Sequence, residues 1–250
     1  MALLLHLSPT GFEQLDDHVI AYFEETDLDM PALTKVLGDR NFNTHRVQAQ
    51  NWNALWERNF SPVVIGAFCV IRAHFHPQQP GVLHDIIITP KMSFGTGHHA
   101  TTAMMVKAMA SITFKNKTVF DFGTGTGILA VLAQKMGATQ VVAIDVDEWS
   151  VENAKENILQ NGADGIDVQH TTELPAGKFD VILANINRNV LLQYMPELAQ
   201  LLNSEAHLLL SGILTGDEQD LVRSCSSNGL EVVARNSELD WCMMVLKNKG

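Results

Sequence analysis

The chain contains 250 residues, of which 46% are hydrophobic and 18% are charged. This length and composition suit one or two folded domains and exclude intrinsic disorder as the main state. Seventeen Lys and Arg residues against 28 Asp and Glu residues give a net charge of -11, which disfavours non-specific binding to nucleic acid phosphates or to anionic lipid. A basic protein remains a suitable partner.

The three cysteines, Cys69, Cys225 and Cys242, have no C-x-x-C spacing. Their positions predict neither a disulfide framework nor a zinc ribbon, and they favour a reducing environment. The apolar run from Met1 to Leu5 lacks a basic flank and is far shorter than a signal sequence or a membrane span. We therefore expect a cytoplasmic protein with no membrane contact.

The first part of the chain is acidic, because its first 34 residues include seven Asp and Glu residues and no Lys or Arg. This pattern is more typical of a solvated face than of a dedicated binding surface. We assign residues 1–50 to a small α+β domain. Residues 51–77 are assigned to a linker helix and connection, because Trp52, Trp56 and Phe60 recur every four residues and share one helical face.

Residues 78–250 are predicted to form an α/β domain, because short apolar runs rich in β-branched residues alternate with amphipathic segments. Strands are predicted at 118–122, 141–145, 166–169, 179–184, 207–211, 230–235 and 241–246, and helices at 128–136, 148–160, 190–202 and 216–227. Thr215 and Glu218 are expected to form a capping box at the start of the last helix. The seven strands predict an open, doubly wound, Rossmann-like sheet that ends in an antiparallel edge hairpin.

A glycine-rich turn follows the first of these strands, in the segment VFDFGTGTGILA of residues 119–130. Ligands of α/β sheets bind at the carboxyl ends of strands, where Gly123, Gly125 and Gly127 would let the backbone approach a ligand closely. A dinucleotide-binding loop requires a glycine five residues after the first, and Ile128 occupies that position. The turn therefore favours a ligand other than NAD.

Two acids near this turn indicate which ligand it suits. Asp145 ends the second strand, where a carboxylate can accept hydrogen bonds from both ribose hydroxyls of a nucleoside. Asp121 precedes the turn, where it would repel a pyrophosphate and attract a sulfonium or ammonium cation. S-adenosylmethionine combines a nucleoside with such a cation. The tripeptide at residues 121–123 also matches a kinase magnesium motif, but the chain lacks the other kinase motifs.

Histidines offer weaker signals. His74 and His76 alternate in a predicted strand, but no third ligand has a recognisable spacing, so we interpret them as surface residues and predict no metal site. His98 and His99 lie in a predicted polar turn that also contains Thr101 and Thr102. They are more typical of structural hydrogen bonding than of catalysis.

Several segments together resemble the ribosomal protein L11 methyltransferase family. They are PKMSFGTGHHATT at residues 90–102, FDVILANINRNVL at 179–191, NWNALWERNFSP at 51–62, SGIL at 211–214 and the pair Asp240-Trp241. The resemblance extends from about Gln50 to Leu246. Its most specific part is the F-G-T-G-H-H-x-T-T segment in front of a G-x-G-x-G turn.

The resemblance implies an S-adenosylmethionine-dependent enzyme that methylates lysine side-chain and N-terminal amines of a large-subunit ribosomal protein. Thr102, Gly123, Asp145 and Asn185 would bind the cofactor, and Trp241 would lie close to the methyl-transfer site. Asn185 offers an amide donor and acceptor for the incoming amine. Asn185 and Trp241 are accordingly our catalytic candidates.

Family members usually begin with a ferredoxin-like domain that captures the ribosomal protein. Residues 1–23 are similar to the end of its first helix followed by its next strand, so we expect this domain to lack its first strand. Ala100 stands where many members have Pro or Glu. Two alternatives stay open: a module that binds S-adenosylmethionine without turning it over, and a methyltransferase for another protein or a small amine.

Overall fold

The computed structural model describes residues 11–14, 18–23, 28–38, 40–46, 61–89 and 97–249, together with Leu4, Leu7 and Thr26. Its Cα positions divide the chain into two compact units, Met1–Leu55 and Trp56–Gly250. The predicted linker helix and its three aromatic residues lie outside the described residues, as does most of the segment expected to end the first helix of the N-terminal domain. No helix in the described part of the chain is long and apolar enough to cross a membrane.

The first unit contains a two-stranded sheet and a helix. Strands β1 (Gly11–Gln14) and β2 (Val19–Tyr22) pair antiparallel. Helix α1 (Met30–Leu37) begins after Asp29, whose side chain accepts a hydrogen bond from the backbone N–H of Ala32 at 3.1 Å. An N-cap of this kind satisfies one of the free amide donors of the first turn.

A three-stranded sheet opens the described part of the second unit. Strand β3 (Val63–Ile65) pairs antiparallel with β4 (Cys69–Ala73), which pairs parallel with β5 (His84–Ile88). Arg72 is buried in β4 and forms a salt bridge with Asp85 of β5 at 2.8 Å. The sequence-based boundary between the connection and the second domain, at residues 77 and 78, falls between β4 and β5 of this sheet.

A seven-stranded sheet forms the centre of the second unit, as predicted. Its strands are β6 (Thr118–Phe122), β7 (Gln140–Asp145), β8 (Ile166–His170), β9 (Phe179–Asn185), β10 (Leu202–Leu214), β11 (Leu230–Glu238) and β12 (Trp241–Asn248). The order is β11-β12-β10-β9-β6-β7-β8. Strands β6 to β10 pair parallel, and β12 pairs antiparallel with both β10 and β11. The antiparallel hairpin at the edge is thus confirmed.

Helices cover both faces of this sheet. They are α2 (Ala100–Met109), α3 (Ile128–Lys135), α4 (Glu148–Gln160), α5 (Arg188–Gln200) and α6 (Glu218–Ser227). The capping box predicted for α6 is wrong, because a 3-10 turn at Thr215–Asp217 precedes this helix. Neither the 3-10 turn nor α6 has a side-chain hydrogen bond that caps its first turn. The carboxylate of Glu218 instead pairs with Arg235 at 3.1 Å.

The strands form two cores because successive side chains point to opposite faces of a sheet. In β9, Val181 and Leu183 pack in the core under α2 and α3, whereas Ile182 and Ala184 pack in the core under α5 and α6. Both faces of a parallel sheet are therefore buried, which explains the nearly continuous apolar runs of its strands.

Asn157 of α4 and Asn161, the C-cap of this helix, hydrogen-bond the free edge of β5 and the residue after it. Asn161 accepts from the backbone N–H of Ile87 at 3.0 Å and donates to its carbonyl at 2.6 Å. Asn157 accepts from the N–H of Thr89 at 2.7 Å and donates to the carbonyl of Thr126, in the glycine-rich turn, at 2.8 Å. This helix therefore joins the small sheet to the turn that follows β6.

Candidate functional site

The strand order reverses between β6 and β9, and such a switch point leaves a crevice at the carboxyl ends of the strands. The glycine-rich turn lies there. Gly123, Gly125 and Gly127 have φ values of 74°, 55° and 78°, a region of backbone conformation that residues other than glycine rarely adopt. The sequence thus places three glycines where the backbone leaves β6 and enters α3.

The first and third glycines of the turn have different neighbours. A Cβ atom at Gly123 would lie 2.3 Å from Cγ2 of Ile186, which follows β9. A Cβ atom at Gly127 would lie 3.1 Å from Cβ of Ala154 in α4. Gly123 therefore permits the close approach of Ile186 at the crevice, whereas Gly127 permits close packing of α3 on α4.

A cavity of about 590 Å³ opens at this crevice. Small-molecule sites commonly measure about 300–1,000 Å³. Its lining residues are Phe122, Gly123, Gly125, Ile144, Asp145, Val146, Ser150, Thr171, Thr172, Asn185, Ile186, Asn187, Val190, Gln193, Tyr194, Gly212 and Trp241. These described residues include one carboxylate and no Lys or Arg, so the cavity suits a cation better than a phosphate.

Asp145 is fixed in the cavity wall by two backbone amides. Its Oδ2 accepts a hydrogen bond from the N–H of Gly125 at 2.8 Å, and its Oδ1 accepts one from the N–H of Asp147 at 3.0 Å. A carboxylate oxygen can accept more than one hydrogen bond, so both oxygens keep capacity for a ligand hydroxyl. The glycine-rich turn thus orients the acid that we predicted to hold a ribose.

Asp121 lies beneath the turn and does not line the cavity, since its side chain is 1% exposed. Burial raises its pKa to about 7. The hydroxyl of Thr124, which donates to Oδ2 at 2.6 Å, acts in the opposite direction, and the nearby charge of Asp145 adds to the rise. Asp121 therefore acts on the cavity through Thr124 of the turn and not by direct contact.

Asn185 ends β9 and lines the cavity. Its Nδ2 donates to the hydroxyl of Thr102 at 3.3 Å, while its buried Oδ1 has no hydrogen-bond partner in the described part of the chain. A buried acceptor without a partner is costly, which is typical of a position that a ligand completes. Thr102 itself is buried in the first turn of α2 and does not line the cavity, so it orients Asn185.

Trp241 reaches the same cavity from the edge hairpin. Because β12 runs antiparallel to β10, its first residue Trp241 pairs with Leu214, the last residue of β10, at the carboxyl edge of the sheet. The ring of His99 lies edge-on to the ring of Trp241, with centroids 4.7 Å apart. The structure therefore brings both catalytic candidates, Asn185 and Trp241, to one cavity.

The two histidines before α2 make hydrogen bonds to the chain. Nδ1 of His99 accepts from the N–H of Thr101 at 3.4 Å and caps α2, and Nε2 of His98 lies 2.8 Å from the carbonyl oxygen of Ser61. Thr101 and Thr102 lie in the helix and not in the predicted turn. Gly95 and the rest of residues 90–96 lie outside the described residues.

The described residues contain no group of three side chains that could hold a metal ion. His74 and His76 do not alternate in a strand, because β4 ends at Ala73 and a turn follows. His74 is exposed, and Nδ1 of His76 accepts from the N–H of Ala73 at 3.2 Å.

Four residues that line the cavity were not predicted from the sequence. Val190 and Tyr194 are four residues apart, so they share the face of α5 that lines the cavity, and Asn187 is the N-cap of this helix, three residues before Val190. Gly212 has a φ of 87°, and a Cβ atom there would lie 2.4 Å from the carbonyl oxygen of Ile186. The helical spacing and the glycine of the SGIL segment were the available signals for these residues.

Comparisons with known proteins agree with this geometry. The sequence profile described as Ribosomal protein L11 methyltransferase (PrmA) matches residues 9–249. A ribosomal protein L11 methyltransferase of Porphyromonas gingivalis is 41% identical over 254 aligned positions, which cover 97% of this chain and 88% of the relative. One of Phocaeicola vulgatus is 36% identical, with 92% of this chain and 86% of the relative covered.

Solved structures are similar as well. The crystal structure of a ribosomal protein L11 methylase from Lactobacillus delbrueckii subsp. bulgaricus has a TM-score of 0.70 and 29% identity, and the match covers 76% of this chain and all of the other. The crystal structure of a methyltransferase from Pyrococcus furiosus has a TM-score of 0.54 and 19% identity, and the match covers 66% of this chain and 89% of the other. At this identity the likeness shows a shared fold alone.

Proposed function

Since this chain belongs to the ribosomal protein L11 methyltransferase family, whose members use S-adenosylmethionine, we propose that it methylates lysine side-chain and N-terminal amines of ribosomal protein L11. The observation that carries the choice of amines is the buried Oδ1 of Asn185 on the wall of the cavity, which has no hydrogen-bond partner among the described residues. An amide oxygen accepts hydrogen bonds from an amine N–H and carries no charge that would keep the amine protonated.

The residues of the cavity fit the cofactor. Asp145 is held by two backbone amides with capacity left for two ribose hydroxyls, and Gly123 and Gly125 line the cavity beside it. The negative charge of Asp145, with no Lys or Arg among the described lining residues, suits a positively charged ligand. We infer that Asp145 holds the ribose and that Asn185 lies at the methionine end.

When bound, S-adenosylmethionine supplies a methyl group on a positively charged sulfur, and the chain has to align a neutral amine with it. We infer that the Oδ1 of Asn185 accepts an N–H of the amine and so directs its lone pair into the cavity. The apolar wall that includes Trp241 excludes water, which lowers the pKa of an amine and favours its neutral form. No strong base is required of the chain, because the amine releases its proton to solvent before it enters the cavity.

The N-terminal unit is assigned a separate task. We infer that residues 1–50, with no Lys or Arg in the first 34, attract the basic ribosomal protein before the amine enters the cavity. Deletion of residues 1–50 should leave cofactor binding nearly unchanged and raise the KM for L11. Loss of cofactor binding from a folded deletion variant would contradict this division.

The cytoplasm is the compartment we infer for this reaction. The three cysteines, Cys69, Cys225 and Cys242, are free and buried, and their thiol pKa values are raised mainly by burial. Buried thiols of this kind are inert packing groups that need no oxidising compartment.

Mass spectrometry of L11 after incubation with the chain and isotopically labelled S-adenosylmethionine tests the proposed function. We expect labelled methyl groups on lysine and N-terminal amines, and none on L11 whose amines have been acetylated. Cofactor binding without any transfer would favour the binding module instead. Transfer to acetylated L11 would show that other groups are the acceptors.

A further inference from the structure

The tip of the edge hairpin has an unusual conformation. Glu238 of β11 pairs with Trp241 of β12, which leaves Leu239 and Asp240 as a two-residue turn. Leu239 has a φ of 55°, and Asp240 is not among the residues with positive φ. Positive φ at the first central residue alone is the pattern of a type II′ turn, which normally has glycine at that position.

Leu239 differs from the two other described residues with positive φ that are not glycine. Asn116 belongs to a residue type that tolerates this conformation. Glu205 forms a salt bridge with Lys247. Leu239 is branched and apolar, and its side chain is 86% exposed. Its strain is therefore not offset by burial of its side chain, and residues in strained conformations cluster at functional sites.

Leu239 lies close in the chain to the wall of the cavity. Trp241, two residues further along, lines the cavity, and its partner Leu214 is 45% exposed. Asp240 is exposed, and its carbonyl accepts a hydrogen bond from the N–H of Thr215 at 2.9 Å, which fixes the turn. We call Leu214, Leu239 and Asp240 the hairpin rim.

We propose that the hairpin rim binds the lysine-bearing segment of the protein substrate as its amine enters the cavity, a role that rests on the proposed function. A lysine-rich segment combines aliphatic stems with positive charges. Leu239 and Leu214 offer apolar surface to the stems, and Asp240 offers a negative charge next to it. The net charge of -11 attracts the same basic partner. Contact with the substrate thus explains why position 239 has an exposed leucine, although glycine would adopt its φ without strain.

Leu239→Gly separates this role from a structural one, because glycine removes the side chain and also relieves the strained φ. We expect an unfolding midpoint equal to or above that of the wild type, an unchanged Kd for S-adenosylmethionine, and a KM for L11 raised about five- to tenfold, as for loss of roughly half a leucine contact. Leu239→Asn, which tolerates the same φ, should raise the KM similarly. Asp240→Asn should raise it less and weaken its dependence on salt.

Glu205→Gly is the matched control, because Glu205 has a φ of 62° near the start of β10, at the opposite end of that strand from the rim. It should leave the KM for L11 unchanged. If the wild type methylates L11 and both Leu239 variants keep its KM, the rim is not a substrate contact. A parallel loss of cofactor affinity and folding stability would also overturn the proposal by assigning Leu239 a structural role. A wild type that never methylates L11 would overturn the proposed function itself, before any variant is compared.

Discussion

The cavity has two walls that are built in different ways. The glycine-turn wall consists of Gly123, Gly125, Ile144, Asp145 and Val146, and the β9–α5 wall consists of Asn185, Ile186, Asn187, Val190 and Tyr194. In the first wall, backbone amides hold one carboxylate. In the second, side chains from the end of a strand and one face of a helix surround an amide oxygen without a described partner.

This difference teaches that binding and transfer are separated in the site. A carboxylate held by the backbone is already oriented, so it can bind a ligand with little loss of conformational freedom. An unpartnered amide oxygen is completed only when a ligand donates to it. We therefore assign cofactor affinity mainly to the glycine-turn wall and the rate of transfer mainly to the β9–α5 wall.

The largest effect is expected from Asp121, beneath the glycine-turn wall. Its pKa of about 7 in the folded chain lies above the ordinary 3.8, so between these pH values the folded state keeps a proton that the unfolded chain has released. Stability should fall as pH rises from about 4 to about 7, by an amount on the order of 4 kcal/mol at most. Asp121→Asn should flatten this dependence in urea unfolding at several pH values. An equally steep decline in the variant would show that another group is responsible.

The two walls meet at Ile186, where two glycines can be compared. Gly123→Ala and Gly212→Ala should each destabilise the fold by about 3 kcal/mol, because both add a Cβ atom at positive φ in contact with Ile186. Ile186→Ala should relieve part of the cost of Gly123→Ala, whose clash is with the Ile186 side chain. It should not relieve Gly212→Ala, whose clash is with the Ile186 backbone. Denaturant unfolding of the double variants measures this, and equal relief in both would contradict the geometry.

Asp145→Ala tests the binding role of the glycine-turn wall. Loss of two hydrogen bonds to a charged acceptor should cost about 2–4 kcal/mol, or roughly 30- to 1,000-fold in the Kd for S-adenosylmethionine. Calorimetry should also detect S-adenosylhomocysteine binding and no NAD binding. Asp145→Asn keeps an acceptor for the N–H of Gly125, so it separates ligand contact from support of the turn. Asp167→Ala, an exposed acid of β8, is the control for net charge. Unchanged affinity in both Asp145 variants would remove this residue from the site.

Asn185→Ala tests the transfer role of the β9–α5 wall. At saturating cofactor, the turnover rate should fall about ten- to a hundredfold, equivalent to about 1.4–2.8 kcal/mol in the barrier, while cofactor affinity changes less. Thr102→Val should lower the rate to a smaller extent, because it removes only the hydroxyl that accepts a hydrogen bond from Nδ2 of Asn185. Thr102→Ser keeps a hydroxyl at this position and should keep the wild-type rate. Single-turnover methylation of L11 separates the steps. A normal rate in Asn185→Ala would leave this residue a structural role alone.

Much of the fold was predictable because its signals are local. The period of apolar residues located six of the seven strands of the large sheet to within three residues, and Asn161-Gly162 marked the end of α4. The seventh, β10, begins five residues before its predicted start. The capping box was wrong because Thr215 entered a 3-10 turn held by the carbonyl of Asp240, which is distant in sequence. The strand assumed around His74 was wrong because β4 ends at Ala73, where Arg72 bonds the carbonyl of His76 and closes a turn.

The sequence by itself determined the chemistry available at the carboxyl ends of β6 and β7. A glycine turn and an acid about 20 residues later act through their own backbone and side chain, so their role in binding a ligand can be predicted without knowledge of their neighbours. Only the tertiary structure decided which residues meet there. It buried Asp121 and Thr102 behind the cavity wall, left the amide oxygen of Asn185 without a described partner, and added a face of α5 as the second wall. These outcomes depend on packing between elements far apart in the chain, and no local pattern encodes which side of a buried residue faces a cavity.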